Sequence, residues 1–153
     1  MEFKALVSSE IDKKFISEVK TRKIEDLPEG KVLIKVNFSS LNYKDALSAS
    51  GNKGVSRNFP HTPGIDAAGI VEFSEVDRYK KGDEVIVTGY DLGMNTSGGF
   101  SQFIRVPEEW VVLKPAEISL SESMALGTAG LTAGLCVRLS LIHISEPTRR
   151  VFI

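Results

Sequence analysis

Lys31–Ala49 reads KVLIKVNFSSLNYKDALSA, and the change of period inside it decides the fold. Over Lys31–Ser39, Val32, Ile34, Val36 and Phe38 fall on one face and Leu33, Lys35 and Asn37 on the other, the period-two pattern of a strand. From Leu41 the spacing changes, and Leu41, Ala46 and Leu47 fit one or two turns of helix. A strand that opens into a short helix delivers Asn42 and Tyr43 at its end, and such edges commonly line clefts.

Working outward, residues 1–115 predict short strands broken by turns. Phe3–Val7 and Phe15–Lys20 flank a polar turn, and Leu27–Gly30 is a Pro/Gly turn. Gly51–Pro63 is a loop, and Ile65–Phe73 is a strand whose Ala67, Ala68 and Gly69 admit a close neighbour. A turn at Tyr79–Asp83 leads into the strand Glu84–Thr88, and Phe100–Val106 and Trp110–Lys114 are further strands. Asp91–Gly99 is expected to be a flexible loop, with Met94 and Asn95 at a solvated tip. Ser119-Leu120-Ser121-Glu122 has the form of a capping box and predicts a helix start. Met124–Val137 is apolar or small throughout and predicts one or two buried helices, interrupted around Gly127 and Gly130, with Cys136 an inert core thiol. Gly130, Ala133 and Gly134 read as small residues for close helix packing. A mostly β chain offers little cover for such helices, so they are expected to leave a large apolar patch exposed.

At 153 residues and 42% hydrophobic, the chain is long enough to bury one core. A net charge of −1 with no clustered basic run argues against nucleic-acid binding. Cys136 is the single cysteine, so no internal disulfide forms, and a reducing cytoplasm is the expected location. The N-terminus lacks the apolar core of a signal peptide, and no apolar run reaches transmembrane length. His61 and His143 are the only histidines, too few with one cysteine for a His/Cys metal site.

Four stretches carry a resemblance: Ser39–Asp45 (SSLNYKD), Pro63–Gly69 (PGIDAAG), Gly82–Val85 leading to Thr88-Gly89, and Gly127–Ala133 (GTAGLTA). In their order and spacing, with Gly98-Gly99-Phe100 and Trp110, they resemble the N-terminal part of the medium-chain dehydrogenases/reductases, in the zinc-free quinone oxidoreductase branch that includes acrylyl-CoA reductases. The resemblance spans roughly residues 3–138. It implies a mainly β, GroES-like fold, a twisted and partly open barrel over residues 1–118. Residues 119–138 would begin the helical connection to a doubly wound Rossmann domain that is not in the chain.

The resemblance also implies site residues. Tyr43 matches a position that contacts the nicotinamide cofactor, Asn42 lines the same cleft, and Thr128 matches a threonine beside the cofactor. Zinc-dependent relatives carry a cysteine near Asn42 and His-Glu near Ile65-Asp66; this chain has neither, so no metal site is expected. Asp66 reads either as a cleft hydrogen-bonding group or as a buried structural carboxylate, and Asp45 as structural beside an exposed Lys44. Gly127-x-x-Gly130-x-x-x-Gly134 is not the dinucleotide fingerprint. The implied reaction is NADPH-dependent, metal-free reduction of a carbonyl-conjugated C=C bond or a quinone, with an enone, enoyl-CoA or quinone as substrate. Tyr43 and solvent both stand as proton donor. The full-length protein is expected to be a homodimer. The other reading is a stand-alone GroES-like binding module, which would not need Met124–Val137.

Leu139–Ile153 (LSLIHISEPTRRVFI) departs from this pattern. Leu139–Arg149 resembles the translated read-through of a sequencing adapter, so residues 139–153 are expected to be non-native and the chain an N-terminal fragment, inactive alone.

Overall fold

In the computed structural model, residues 1–144 are described. β1 (Glu2–Ile11) and β2 (Lys14–Lys23) form an antiparallel hairpin. The strand expected over Lys31–Ser39 is β3 (Val32–Phe38); with β4 (Asp66–Ser74), β5 (Glu84–Thr88), β6 (Phe103–Val106) and β7 (Val111–Leu113) it builds an antiparallel sheet in the order β6-β3-β4-β5-β7. The hairpin closes onto the approach to β6: the Leu6 amide donates to the Phe100 carbonyl at 2.8 Å, and the Gln102 amide to the Lys4 carbonyl at 3.0 Å. The result is the mainly β, partly open barrel that the sequence implied.

β3 is covered on both faces. Val32 and Ile34 join Val71, Val85, Ile104 and Val106 in the main core, while Leu33 packs with Phe3, Val7 and Phe103 under the hairpin. The alternation fails at its end, because a register shift between Val36 and Phe38 turns Phe38 outward, leaving it 46% exposed. Trp110 falls in a one-turn 3-10 segment before β7.

α1 (Tyr43–Ala49) starts directly after Asn42, whose amide donates to the Asp45 carboxylate at 2.8 Å. α2 (Leu120–Ile144) starts with the predicted box: the Ser119 amide donates to Glu122 Oε2 at 2.8 Å and the Glu122 amide to Ser119 Oγ at 3.2 Å. Its first turns lay Leu120 and Met124 on Ala68 of β4. The helix breaks at Gly127, where φ is +50°.

Three expectations are corrected. Beyond Gly127, α2 is exposed: Leu131, Leu135 and Val137 lie at 56%, 51% and 59% exposure, and Cys136 is exposed too. Every residue from Leu131 to Ser140 is exposed, so the apolar composition there does not translate into burial and instead leaves the exposed apolar surface that was expected. Gly130 and Gly134 likewise pack against no other element, and the predicted interruption occurs at Gly127 alone. The glycine loop is largely packed, with Leu92, Gly93, Gly98 and Gly99 buried. A Cβ on Gly93 would sit 2.5 Å from the Gly64 backbone, so glycine serves close approach there rather than flexibility. Residues 145–153, most of the segment expected to be non-native, lie outside the described residues.

His61 anchors that loop. It is buried, and its Nε2 lies 2.8 Å from the Gly93 carbonyl, to which it donates. Burial pushes its pKa below the ordinary value. A histidine depressed in the folded state contributes stability that is present above its unfolded pKa of about 6.5 and lost as pH falls through the folded value. Urea unfolding should therefore show stability falling from pH 7 to 5.5 in the parent chain and a flatter dependence in His61→Gln, whose amide can also donate to Gly93. Parallel pH profiles for the two chains would refute this role.

Candidate functional site

β3 and β4 pair antiparallel, with Phe38 opposite Ala68, so the residues leaving β3 pass beside Asp66 as it enters β4. Asp66 is fully buried and its carboxylate gathers four donors. Ser40 Oγ reaches Oδ2 at 3.1 Å, Asn42 Nδ2 at 2.9 Å and the Thr128 amide at 3.0 Å, while Thr128 Oγ1 donates to Oδ1 at 2.6 Å. Ser39 Oγ donates to the Asp66 main-chain carbonyl at 2.6 Å.

The break at Gly127 makes this convergence possible. It starts the second half of α2 at Thr128, whose amide is released from the helical ladder and aimed at Asp66. A carboxylate at a helix start is favoured both by the orphan N–H groups and by the helix dipole. A Cβ on residue 127 would stand 2.4 Å from Ser40 Oγ and 2.9 Å from Asp66 Oδ2. Glycine is required by the contact and by the positive φ together.

A second buried carboxylate stands behind Asn42. Asp45 is 1% exposed and accepts the Asn42 amide at 2.8 Å and the Ile65 amide at 2.9 Å. Burial raises its pKa above the usual carboxylate value, and the Asp66 charge adds to the rise, while the two amides oppose it. Asp45 thus ties α1 to the start of β4, the structural role expected of it, with Lys44 exposed beside it.

Of the expected site residues, Asn42 and Thr128 meet at Asp66. Tyr43, one residue on, is not part of that network; it is 81% exposed at the first turn of α1. A shallow groove beside the network is lined by Phe38, Leu41, Asn42, Met124, Leu126 and Ala129. Sequence reasoning missed Ser40, because only the β3–β4 pairing distinguishes it from any loop serine. Met94 is half-buried and Asn95 exposed, and neither joins this network.

A profile of the alcohol dehydrogenase GroES-like domain matches residues 28–116. The chain belongs to this family. It is 44% identical over 137 residues to the acrylyl-CoA reductase AcuI of Ruegeria pomeroyi, covering 88% of this chain and 42% of that protein. Among solved structures, the YhdH oxidoreductase of Salmonella enterica in complex with NADP superposes with a TM-score of 0.86 at 43% identity, over 91% of this chain and 42% of that one. Bacillus subtilis YhfP with NAD bound gives a TM-score of 0.86 at 44% identity, over 90% and 42%. The chain therefore spans about two fifths of the length of these relatives. Among the described residues no three His, Cys, Asp or Glu side chains group as a metal site, and no helix is long and apolar enough to cross a membrane.

Proposed function

We propose that this domain forms one wall of the active site of an NADPH-dependent, metal-free oxidoreductase that reduces a carbonyl-conjugated C=C bond or a quinone, with Asn42, Tyr43 and Thr128 facing the nicotinamide. The observation that carries the reading is the 43% identity to an oxidoreductase crystallised with NADP over 91% of this chain.

The groups left over by the Asp66 network fit a nicotinamide carboxamide, which offers both a donor and an acceptor. Thr128 Oγ1 has given its only proton to Asp66, so it is held as an acceptor. Asn42 has committed one amide proton to Asp66, and its side chain also takes part in the cap of α1. Tyr43 presents a hydroxyl in the open. The reduced nicotinamide, when bound, supplies the hydride for the β-carbon of the substrate. The chain's part is orientation: Asp66 fixes Asn42 and Thr128 so that neither must reorganise as the substrate oxygen gains charge. Ile65, standing where zinc-dependent relatives carry histidine, has no lone pair to offer a metal, so hydrogen-bond donors carry that charge. Tyr43 holds a transferable proton, and solvent can serve in its place. The whole protein works, on this reading, as a cytoplasmic homodimer.

The test joins residues 1–138 to the remainder of the Salmonella relative. The chimera should oxidise NADPH with acrylyl-CoA or a quinone, and Tyr43→Phe should lower kcat or raise the KM for NADPH. The chain alone should show no saturable micromolar NADPH binding. A chimera that folds, binds NADPH and oxidises only alcohols would overturn the reading.

A further inference from the structure

The β1–β2 hairpin ends in an open edge. Lys4, Leu6 and Ser8 of β1 turn their main-chain groups away from β2. The Gln102 amide donates to the Lys4 carbonyl, the Leu6 amide donates to the Phe100 carbonyl, and Ser8 exchanges bonds with His61 at 2.7 and 2.9 Å. The residues opposite them on β2 are Thr21, Val19 and Ser17. In an antiparallel ladder, opposite residues that do not bond to each other turn their amides and carbonyls outward on both strands. The main-chain groups of Ser17, Val19 and Thr21 therefore point out along the far edge of β2, where among the described residues no other main chain meets them. All three side chains are exposed, Val19 at 67%. A long unpaired edge of this kind is a template for another strand.

Charge commonly blunts such edges, and β2 carries Lys14, Glu18, Lys20, Arg22 and Lys23. Here the charges select a register instead. A second β2 running antiparallel can bond to the outward groups with the two-fold axis at Glu18, Val19 or Lys20. An axis at Glu18 sets that residue against itself, and an axis at Lys20 does the same to the lysine; like charges directly opposite are destabilising. An axis at Val19 sets Val19 on Val19, Ser17 on Thr21, and Glu18 on Lys20 at both symmetric positions. Opposite charges and hydroxyl pairs across strands are favourable. Within one chain Lys20 Nζ already lies 3.5 Å from Glu18 Oε2, so the charges of the two copies alternate in sign on one face. The edge is complementary to itself in that one central register.

We infer that β2 is a docking edge for a second copy of this chain: two hairpins pair through Ser17–Thr21 and join into one sheet in the order β1-β2-β2-β1. The alternating charges carry the choice of occupant, because the strand that matches them is β2 itself. The inference stands on the hairpin alone, so it holds or fails independently of the oxidoreductase chemistry.

Sedimentation of the 153-residue chain over a concentration series tests this. Pairing over Ser17–Thr21 is a small interface, so a weak dimer should grow in with concentration. Hydrogen exchange at the Ser17, Val19 and Thr21 amides should slow as it forms. Glu18→Lys and Lys20→Glu should each weaken the dimer about tenfold, by setting like charges opposite. An equimolar mixture of these two variants should regain the parent affinity, since each then supplies the charge that the other lacks. Leu135→Glu, on the exposed part of α2, should leave the dimer unchanged. A chain that stays monomeric overturns the inference, as does a dimer that leaves the three amides unprotected. So do edge variants that pair as well as the parent, or a mixture that recovers nothing. A dimer lost in Leu135→Glu would assign the interface to α2 and overturn it equally.

Discussion

Asp66→Ala is expected to lower the unfolding free energy by about 3–5 kcal/mol, since each buried donor left without a partner costs about 1–3 kcal/mol. Ser40, Asn42, the Thr128 amide and the Thr128 hydroxyl all donate to this carboxylate, which joins the end of β3, the start of β4 and the second half of α2. Removing it also removes a buried charge, which offsets part of the loss. Four donors against one carboxylate leave the balance on the side of destabilisation, and domains of this size have only about 5–15 kcal/mol to lose. Asp66→Asn keeps the shape and one acceptor, and Thr128 can rotate its hydroxyl to accept from the new amide. It should lose about 1–2 kcal/mol, because only part of the network is stranded. Urea unfolding of the parent and both variants separates these outcomes. A loss below about 1 kcal/mol in Asp66→Ala would show that water satisfies the donors and that Asp66 holds nothing together.

The strands were legible because their signals are local; the barrel they build was expected only through the resemblance. Alternation at Val32–Val36, the Ser119–Glu122 box and the Pro/Gly turns each act within a few residues, and each appears where expected. The strand-to-helix change singled out Asn42, whereas Thr128 was singled out only through resemblance, and nothing within either stretch says that residues 86 apart in the chain share one carboxylate. Asp66 was ambiguous for a physical reason: it is a buried carboxylate and a cleft organiser at once, and sequence offers the two as alternatives. Asp91–Gly99 misled because glycine signals freedom when only the chain is known. In the fold, its missing side chains let the Gly93–Gly99 backbone touch that of Pro63–Gly64. The error at Cys136 has the opposite origin. Apolar composition along Met124–Val137 states what the surface needs, whereas burial depends on whether another element is there to meet it.

The second large effect runs against helix propensity. In an ordinary helix interior, Gly→Ala stabilises by about 1 kcal/mol. At Gly127 it should destabilise by about 2–4 kcal/mol, from backbone strain and lost hydrogen bonds together. If the break persists, alanine must hold a φ of +50° with its Cβ 2.4 Å from Ser40 Oγ, so Ser40 must move off Asp66. If the helix straightens instead, the Thr128 amide returns to the ladder and Asp66 loses both Thr128 bonds. Circular dichroism distinguishes the routes, because helicity rises only in the second while the unfolding midpoint falls in both. Thr128→Ala supplies the decisive comparison. In the parent it should cost about 1–3 kcal/mol through its hydroxyl bond to a buried charge. In a straightened Gly127→Ala background that bond is already gone, and the same change should cost almost nothing, a non-additivity that marks a shared interaction. Should Gly127→Ala instead raise the unfolding midpoint, the break would be an incidental kink, and the convergence of Asn42 and Thr128 on Asp66 would not depend on it.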